Sequence, residues 1–144
     1  MQSMDFFKNK KLLTMFLTNH KETYAAEYFT KNSFTNFLCE IIGLQIRKKN
    51  KIIKMMYSSM HNINEKTMKT LLQQGKKKYK EKFIPAFGVL AVGIQGNEHI
   101  CTSQRLDQDL NAAKKQYINE VILFRLGGLN KEYLTVIKRY TKNY

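Results

Sequence analysis

The residues most able to do chemistry are concentrated in one quarter of the chain, residues 47–82. This segment holds twelve of the 25 basic residues and only two acidic ones, Glu65 and Glu81, so it carries a net charge of +10 out of +14 for the whole protein. Ammonium groups at this density attract polyanions, of which nucleic acid is the simplest. The candidate nucleic-acid-binding residues of the segment are Arg47, Lys48, Lys49, Lys51, Lys54, Lys66, Lys69, Lys76, Lys77, Lys78, Lys80 and Lys82.

The kind of basic residue indicates the kind of contact. Lysine accounts for 21 of the 25 basic residues, and its ammonium is a hydrated point charge that suits the phosphate backbone better than base edges. An AT-rich genome would favour lysine codons over arginine codons, but it would not remove acidic residues from 47–82. We therefore expect a non-catalytic protein that binds nucleic acid with little sequence preference, DNA being slightly favoured over RNA.

Catalytic and metal-binding patterns are poorly supported. His20, His61 and His99 lack metal-ligand spacing, and Cys101 beside His99 has no identifiable catalytic partner. The chain contains no Glu-x-Lys or Asp-x-Lys, a spacing that many Mg²⁺-dependent nucleases use. We expect no catalytic residues, no metal and no cofactor.

Three short patterns were tested against known nucleic-acid or metal-binding elements. Residues 21–46 could form a helix–turn–helix, but the turn lacks glycine and the second helix has few polar positions to read bases. Gly93-Ile94-Gln95-Gly96 matches the GxxG loop of KH domains, without the surrounding signature. Asp107-x-Asp109 could ligate a metal only off a helix, and it reads more simply as acidic residues early in one.

A helix over residues 65–83 would position the central lysines. Asn64 is a suitable N-cap, and the acidic Glu65 would lie in the first turn. At helical spacing one face is apolar and the other is lysine-rich, so the lysines would form a ridge that faces the solvent. The apolar face would consist of Met68, Leu71, Leu72, Gly75 and Tyr79.

The remaining segments also favour helices. The fold that we expect is mainly α: a compact helical bundle of about five to six helices in a single domain, residues 1–144. The segment 83–101 is ambiguous, because Pro85 could begin a buried helix or precede a short β-hairpin near 87–101. The other predicted helices are 4–18, 21–31, 34–46 with an extension as far as Met60, 104–126 ended by Gly127-Gly128, and 131–142 capped by Asn130.

The C-terminal helix would add Lys138 and Arg139 to the binding surface if it packs beside residues 47–82. The main alternative is a protein–protein interaction module, such as an inhibitor, an anti-defence factor or an assembly subunit, that docks on an acidic partner. Met55, Met56, Tyr57 and Met60 would then serve as an apolar anchor. A small basic nuclease is the third alternative.

The two cysteines, Cys39 and Cys101, form no disulfide framework, which favours a reducing compartment. No apolar run approaches the about 20 residues that a membrane span requires. We expect a cytoplasmic protein, or a nuclear or nucleoid-associated one if it binds DNA, and no membrane partner.

Overall fold

The computed structural model describes residues 2–20, 23–28, 33–41, 50–58, 63–89, 100–124 and 128–141. Within these residues five α-helices alternate with four β-strands along the chain. In order they are α1 (Gln2–Asn19), β1 (Tyr24–Tyr28), α2 (Ser33–Ile41), β2 (Lys51–Met55), α3 (Glu65–Tyr79), β3 (Phe83–Gly88), α4 (Ser103–Lys115), β4 (Ile122–Phe124) and α5 (Lys131–Lys138). A 3-10 turn, Lys80–Lys82, joins α3 to β3.

The strands form one parallel sheet in the order β1-β2-β3-β4. Ile52 of β2 lies between Ala25 of β1 and Phe83 of β3, and Phe87 of β3 lies opposite Leu123 of β4. The protein is therefore an α/β protein, and the predicted all-α helical bundle is wrong. Parallel neighbours need a crossover between them, which explains why a helix follows each of the first three strands.

Three segments that were predicted to be helical contain strands instead. Residues 24–28 form β1, residues 51–55 form β2 and residues 122–124 form β4. Because residues 24–28 form a strand, the helix–turn–helix considered for residues 21–46 lacks its first helix, and that hypothesis is wrong. The GxxG at 93–96 lies outside the described residues.

The core lies between the sheet and the helices α3, α4 and α5. Phe83 and Phe87 of β3 face α3 and α4, and all three elements contribute nearly inaccessible side chains. Both helices pack on β3, and α4 also packs between α3 and α5. This three-helix layer fixes the positions of the lysines discussed below. Its buried residues include Met68 and Leu72 of α3, Leu106 and Leu110 of α4, and Tyr133 and Val136 of α5.

All six residues of β3 are buried, including Pro85. Proline is unusual in the middle of a sheet because it lacks an N–H. Pro85 lies opposite Lys54 of β2, one residue before the pairing with β4 begins at Ala86. A hairpin would place an antiparallel strand beside β3. Within the described residues its two neighbours, β2 and β4, are both parallel to it, so β3 is not the first strand of the hairpin considered for 87–101.

Side-chain caps begin the three helices of the layer. Asn64 Oδ1 accepts a hydrogen bond from the N–H of Thr67 at 2.8 Å, and Asn130 Oδ1 accepts one from Tyr133 at 3.1 Å. Both caps were predicted from the sequence and are confirmed. Thr102 caps α4 in the same way. The predicted end of α4 is wrong, because the helix stops at Lys115 rather than continuing to residue 126.

Gly75 of α3 packs directly against the ring of Phe83 in the sheet. A Cβ at this position would overlap the buried ring of Phe83. An exposed Gly→Ala change inside a helix ordinarily stabilises it by up to about 1 kcal/mol. Here we expect Gly75→Ala to lower the free energy of unfolding by about 1–3 kcal/mol, because overpacking outweighs the gain in helix propensity. Chemical denaturation would measure this, with exposed Gln74→Ala on the same helix as the control.

Candidate nucleic-acid interface

The helices α3, α4 and α5 run in the same direction. Each of α3 and α4 leads from the end of one parallel strand back to the beginning of the next, so both run opposite to the strands. The first turns of α4 and α5 are joined by a hydrogen bond from Ser103 Oγ to Glu132 Oε2 at 3.2 Å. Towards the other end, Lys114 Nζ lies 5.8 Å from the ring centroid of Tyr140. All three C-terminal ends therefore lie at the edge of the sheet where the strands begin, which we call the amino edge.

Basic residues occupy the last turns of all three helices and the turns that follow them. Helix C-termini carry a partial negative charge, which stabilises cations there locally. Lys76 at the end of α3 bonds the carbonyl of Tyr117 just after α4, and Lys114 at the end of α4 lies over Tyr140 just after α5, so the three ends bring their basic residues into one neighbouring set. We call it the basic collar: Lys76, Lys77, Lys78, Lys80, Lys82, Lys114, Lys115, Lys138 and Arg139.

Most of the collar is available to solvent. Lys77, Lys80, Lys82 and Lys115 are exposed, and none of them forms an ion pair within the described part of the chain. Lys138 is exposed as well, and the four other members have contacts with carboxylates or aromatic rings. The contacts are Lys76 with Glu81 at 3.0 Å, Arg139 with Asp107 at 3.4 Å, Lys78 over the ring of Tyr79 and Lys114 over the ring of Tyr140.

The remaining sequence-predicted residues fall into several groups. Lys66 and Lys69 are exposed on the first half of α3, so they extend the collar along that helix. Lys51 lies at the amino edge, where its hydrogen bond with Glu120, at 2.5 Å, raises the pKa of its ammonium. Arg47, Lys48 and Lys49 lie outside the described residues.

Lys54 is a correction to the predicted site. Its side chain is buried and lies 2.7 Å from Glu27 Oε2, directly opposite on β1. The hydroxyl of Tyr79 donates to the same carboxylate at 3.4 Å, and the Tyr79 ring lies 5.7 Å from Lys54 Nζ. With only 7% of Lys54 and 2% of Glu27 exposed, a phosphate does not reach this ammonium. The pair instead joins β1 to β2 beneath the end of α3.

Two collar residues, Lys114 and Lys115, were not among the predicted site residues. The sequence prediction placed them in the middle of a helix that continued to residue 126, where they would lie on its flank. Residues 116–118 end α4 instead, through a Schellman motif. The N–H of Tyr117 donates to the carbonyl of Lys114 at 2.9 Å, and that of Ile118 donates to Ala113 at 3.2 Å. Two adjacent lysines are typical of the last turn of a helix and could have indicated that α4 ends here. Tyr117 occupies the position where a glycine would have marked that end in the sequence.

Tyr117 has a backbone conformation that glycine usually adopts. Its φ is 55°, and Lys80 has a φ of 54°; these are the non-glycine residues with positive φ in the described chain. The ammonium of Lys76 lies between them, bonded to Glu81 and, at 3.2 Å, to the carbonyl oxygen of Tyr117. Both strained positions thus lie within the collar.

We expect Tyr117→Gly to raise the free energy of unfolding by about 0.5–1 kcal/mol, because glycine removes the left-handed strain but loses more backbone entropy on folding. This corresponds to a rise of about 1–4 °C in Tm. Tyr117→Ala, which deletes the ring but keeps the strain, is the matched control and should leave Tm nearly unchanged. Calorimetry on the two variants would separate strain from side-chain contacts.

A second polar cluster lies at the opposite, carboxyl edge of the sheet. Asp109 accepts hydrogen bonds from Ser58 Oγ at 3.0 Å and from Arg105 at 2.9 Å, and Arg105 also donates to the carbonyl of Ile63. Burial raises the pKa of the Asp109 carboxyl and that of the neighbouring Cys101 thiol. A buried thiol with a raised pKa is a poor nucleophile. This cluster fastens the segment after β2 to α4, and it supplies no reactive cysteine.

The sequence allowed a metal at Asp107-x-Asp109 only if these residues lay off a helix. Asp107 and Asp109 both lie on α4, and each has its own basic partner, Arg139 and Arg105. Among the described residues no group of three or more His, Cys, Asp or Glu side chains could hold a metal ion.

Comparison with protein-family models, with curated proteins and with solved structures finds no match for this chain. Within the part of the chain that the structure describes, no helix combines the length and the apolar character needed to cross a bilayer.

Proposed function

We propose that this protein binds nucleic acid without catalysing a reaction on it, and that the basic collar holds the phosphate backbone. The observation that supports this most directly is the convergence of three basic helix ends at one edge of the sheet. The local charge depends on the fold, since the parallel crossovers fix the ends of α3 and α4 and side-chain contacts bring α5 beside α4. Lysine point charges suit contact with the phosphate backbone.

The distribution of acidic residues supports the proposal. Glu27, Glu81, Asp107 and Glu120 are acidic residues that lie near the collar or the amino edge in the described chain, and each is held in an ion pair. The collar therefore keeps a surplus of cations. The nuclease alternative gains no observation in its favour from these four carboxylates.

Salt dependence tests the proposal. If about five lysines contact phosphates, the slope of log K against log salt concentration should be roughly −4 to −5 for duplex DNA. Fluorescence anisotropy with labelled duplex and single strands at several salt concentrations would measure it. Affinity that does not change with salt would contradict backbone binding by the collar.

A second candidate, the protein–protein interaction module, is favoured by a different observation. Of the predicted apolar anchor, Met56 is buried, Met55 and Tyr57 are half-buried, and Met60 lies outside the described residues. The helices α1 and α2, however, expose eight large apolar side chains, each between 41% and 65% accessible. They are Leu12, Leu13, Met15 and Phe16 on α1, and Phe34, Phe37, Leu38 and Ile41 on α2.

These two helices approach each other, since Lys10 Nζ donates to the carbonyl of Ile41 at 2.6 Å. Exposed apolar surface of this extent is typical of a contact with another protein. A pull-down with and without nuclease treatment separates the two candidates. A partner that is retained after digestion, and lost on Phe16→Ser or Phe37→Ser, would favour the interaction module.

A further inference from the structure

Tyr117 is the aromatic residue that protrudes from the basic collar. Its side chain is 82% exposed, and neither its ring nor its hydroxyl has a partner among the described residues. The other tyrosines whose side chains the structure describes each have one. Tyr24 lies under Lys51, Tyr57 stacks on Phe124, Tyr79 stacks on Phe83, Tyr133 donates to the carbonyl of Cys101, and Tyr140 donates to Asp107.

The backbone conformation of Tyr117 is unfavourable for a tyrosine, and contacts with the rest of the protein hold it in place. The left-handed conformation is unfavourable for a residue with a Cβ, and glycine is the usual occupant of this place in a Schellman motif. The Tyr117 carbonyl is bound by Lys76 of α3, while the following Ile118 is buried in the core. A large aromatic side chain is thus exposed to solvent on a strained backbone position that is held in place, and such strained positions cluster at functional sites.

Three basic residues lie close to the backbone of Tyr117, two in sequence and one in space. Lys114 and Lys115 precede Tyr117 by three and two residues, and Lys76 reaches its backbone from α3. An aromatic face beside a row of ammonium groups is the combination with which proteins bind single strands: the charges hold the phosphates and the ring stacks on a base.

We propose that Tyr117 is a base-stacking residue and that the collar takes single-stranded nucleic acid in preference to duplex. This inference rests on the proposed function, because the collar must hold the backbone for the ring to meet a base. A protruding ring stacks on an unpaired base, whereas the bases of a duplex already stack on one another inside the helix. The ligand class is therefore an unpaired DNA or RNA segment, and stacking alone does not select its sequence.

The test uses the full chain, four labelled probes and three variants. The probes are an oligothymidylate of about 12 nucleotides, the matching oligouridylate, an abasic strand of equal length and a duplex of equal length. The variants are Tyr117→Gly, which relieves the strain, Tyr117→Ala, which keeps it, and Tyr117→Phe, which keeps the ring.

We expect Tyr117→Gly and Tyr117→Ala to weaken oligothymidylate and oligouridylate binding by about 5- to 150-fold, the range measured for one stacked base. Binding to the abasic strand and to the duplex should stay unchanged in both variants. Tyr117→Phe should bind like the unmodified protein. The salt slope should be the same in all variants, because no charge is altered.

The outcomes distinguish this inference from the proposed function. If the unmodified protein binds the probes with a steep salt slope, but ring deletion has no effect or weakens duplex and abasic binding equally, the stacking role is wrong and the collar stands. If the unmodified protein binds none of the probes, or binds them independently of salt, both proposals fall.

Discussion

Replacing Lys77, Lys80 and Lys115 together by Gln is expected to weaken nucleic-acid binding by about 500-fold at about 0.1 M salt, because three phosphate contacts are lost. Each contact contributes about 0.9 to the log–log salt slope, so the slope should become shallower by about 2.7. The three lysines are exposed and have no ion pair within the described chain, so the fold should tolerate the change. These values apply to duplex DNA; for single-stranded probes each contact contributes about 0.7, so the expected loss is about 130-fold and the slope change about 2.1.

The matched control for this variant changes the same charge elsewhere. Lys8 and Lys11 on α1 and Lys131 in the first turn of α5 are exposed and lie outside the collar. Replacing these three by Gln also lowers the net charge from +14 to +11. Equal losses from the two triple variants would show that net charge alone attracts the nucleic acid, and the collar would then have no special role.

The largest effect on stability is expected at the buried ion pair. Glu27→Gln leaves the ammonium of Lys54 enclosed without its carboxylate, and removing one partner of a buried pair costs about 3–5 kcal/mol. Chemical denaturation would measure the loss. The double variant Glu27→Leu with Lys54→Met removes both charges, and we expect its stability to lie within about 1 kcal/mol of the original protein or above it.

The same pair gives an independent check on the site. Because Lys54 is enclosed, the double variant should bind nucleic acid with an unchanged salt slope. If Glu27→Gln lowers stability by less than about 1 kcal/mol, the pair is reached by water and the assignment of Lys54 as a structural residue is mistaken.

The helices that could be predicted are those with a periodic apolar face and a side-chain cap. Asn64 and Asn130 marked the beginnings of α3 and α5, and the lysine-rich face of α3 followed from spacing alone. These signals are local, because a cap and its helix lie within a few residues of each other. The lysine-rich face of α3 can therefore be predicted without knowledge of the fold.

The strands could not be predicted because their determinants are distant in sequence. The segment Tyr24–Tyr28 contains two alanines and a glutamate, all good helix formers. Glu27 points into the core only because Lys54, on another strand, neutralises it. In β3 both faces are buried, so the alternation that reveals a strand is absent.

The basic collar could not be predicted either, because its residues are also distant in sequence. Its residues come from three helices: the parallel strands make α3 and α4 run in the same direction, and α5 joins them through its contacts with α4. A bundle of antiparallel helices would have placed the basic ends of α3 and α4 at opposite ends of the molecule. Lys114 and Lys115 join the site through the topology rather than through their local pattern.

The order of the strands in the sheet also bears on how the chain is made. Because β1, β2, β3 and β4 lie side by side in the order of the sequence, each new strand joins the outer edge of those already emerged from the ribosome. None of these four strands has to insert between two earlier ones, so their assembly during synthesis need not break any pairing already formed. Until the next strand arrives, however, the newest one offers an unpaired edge to any other chain nearby.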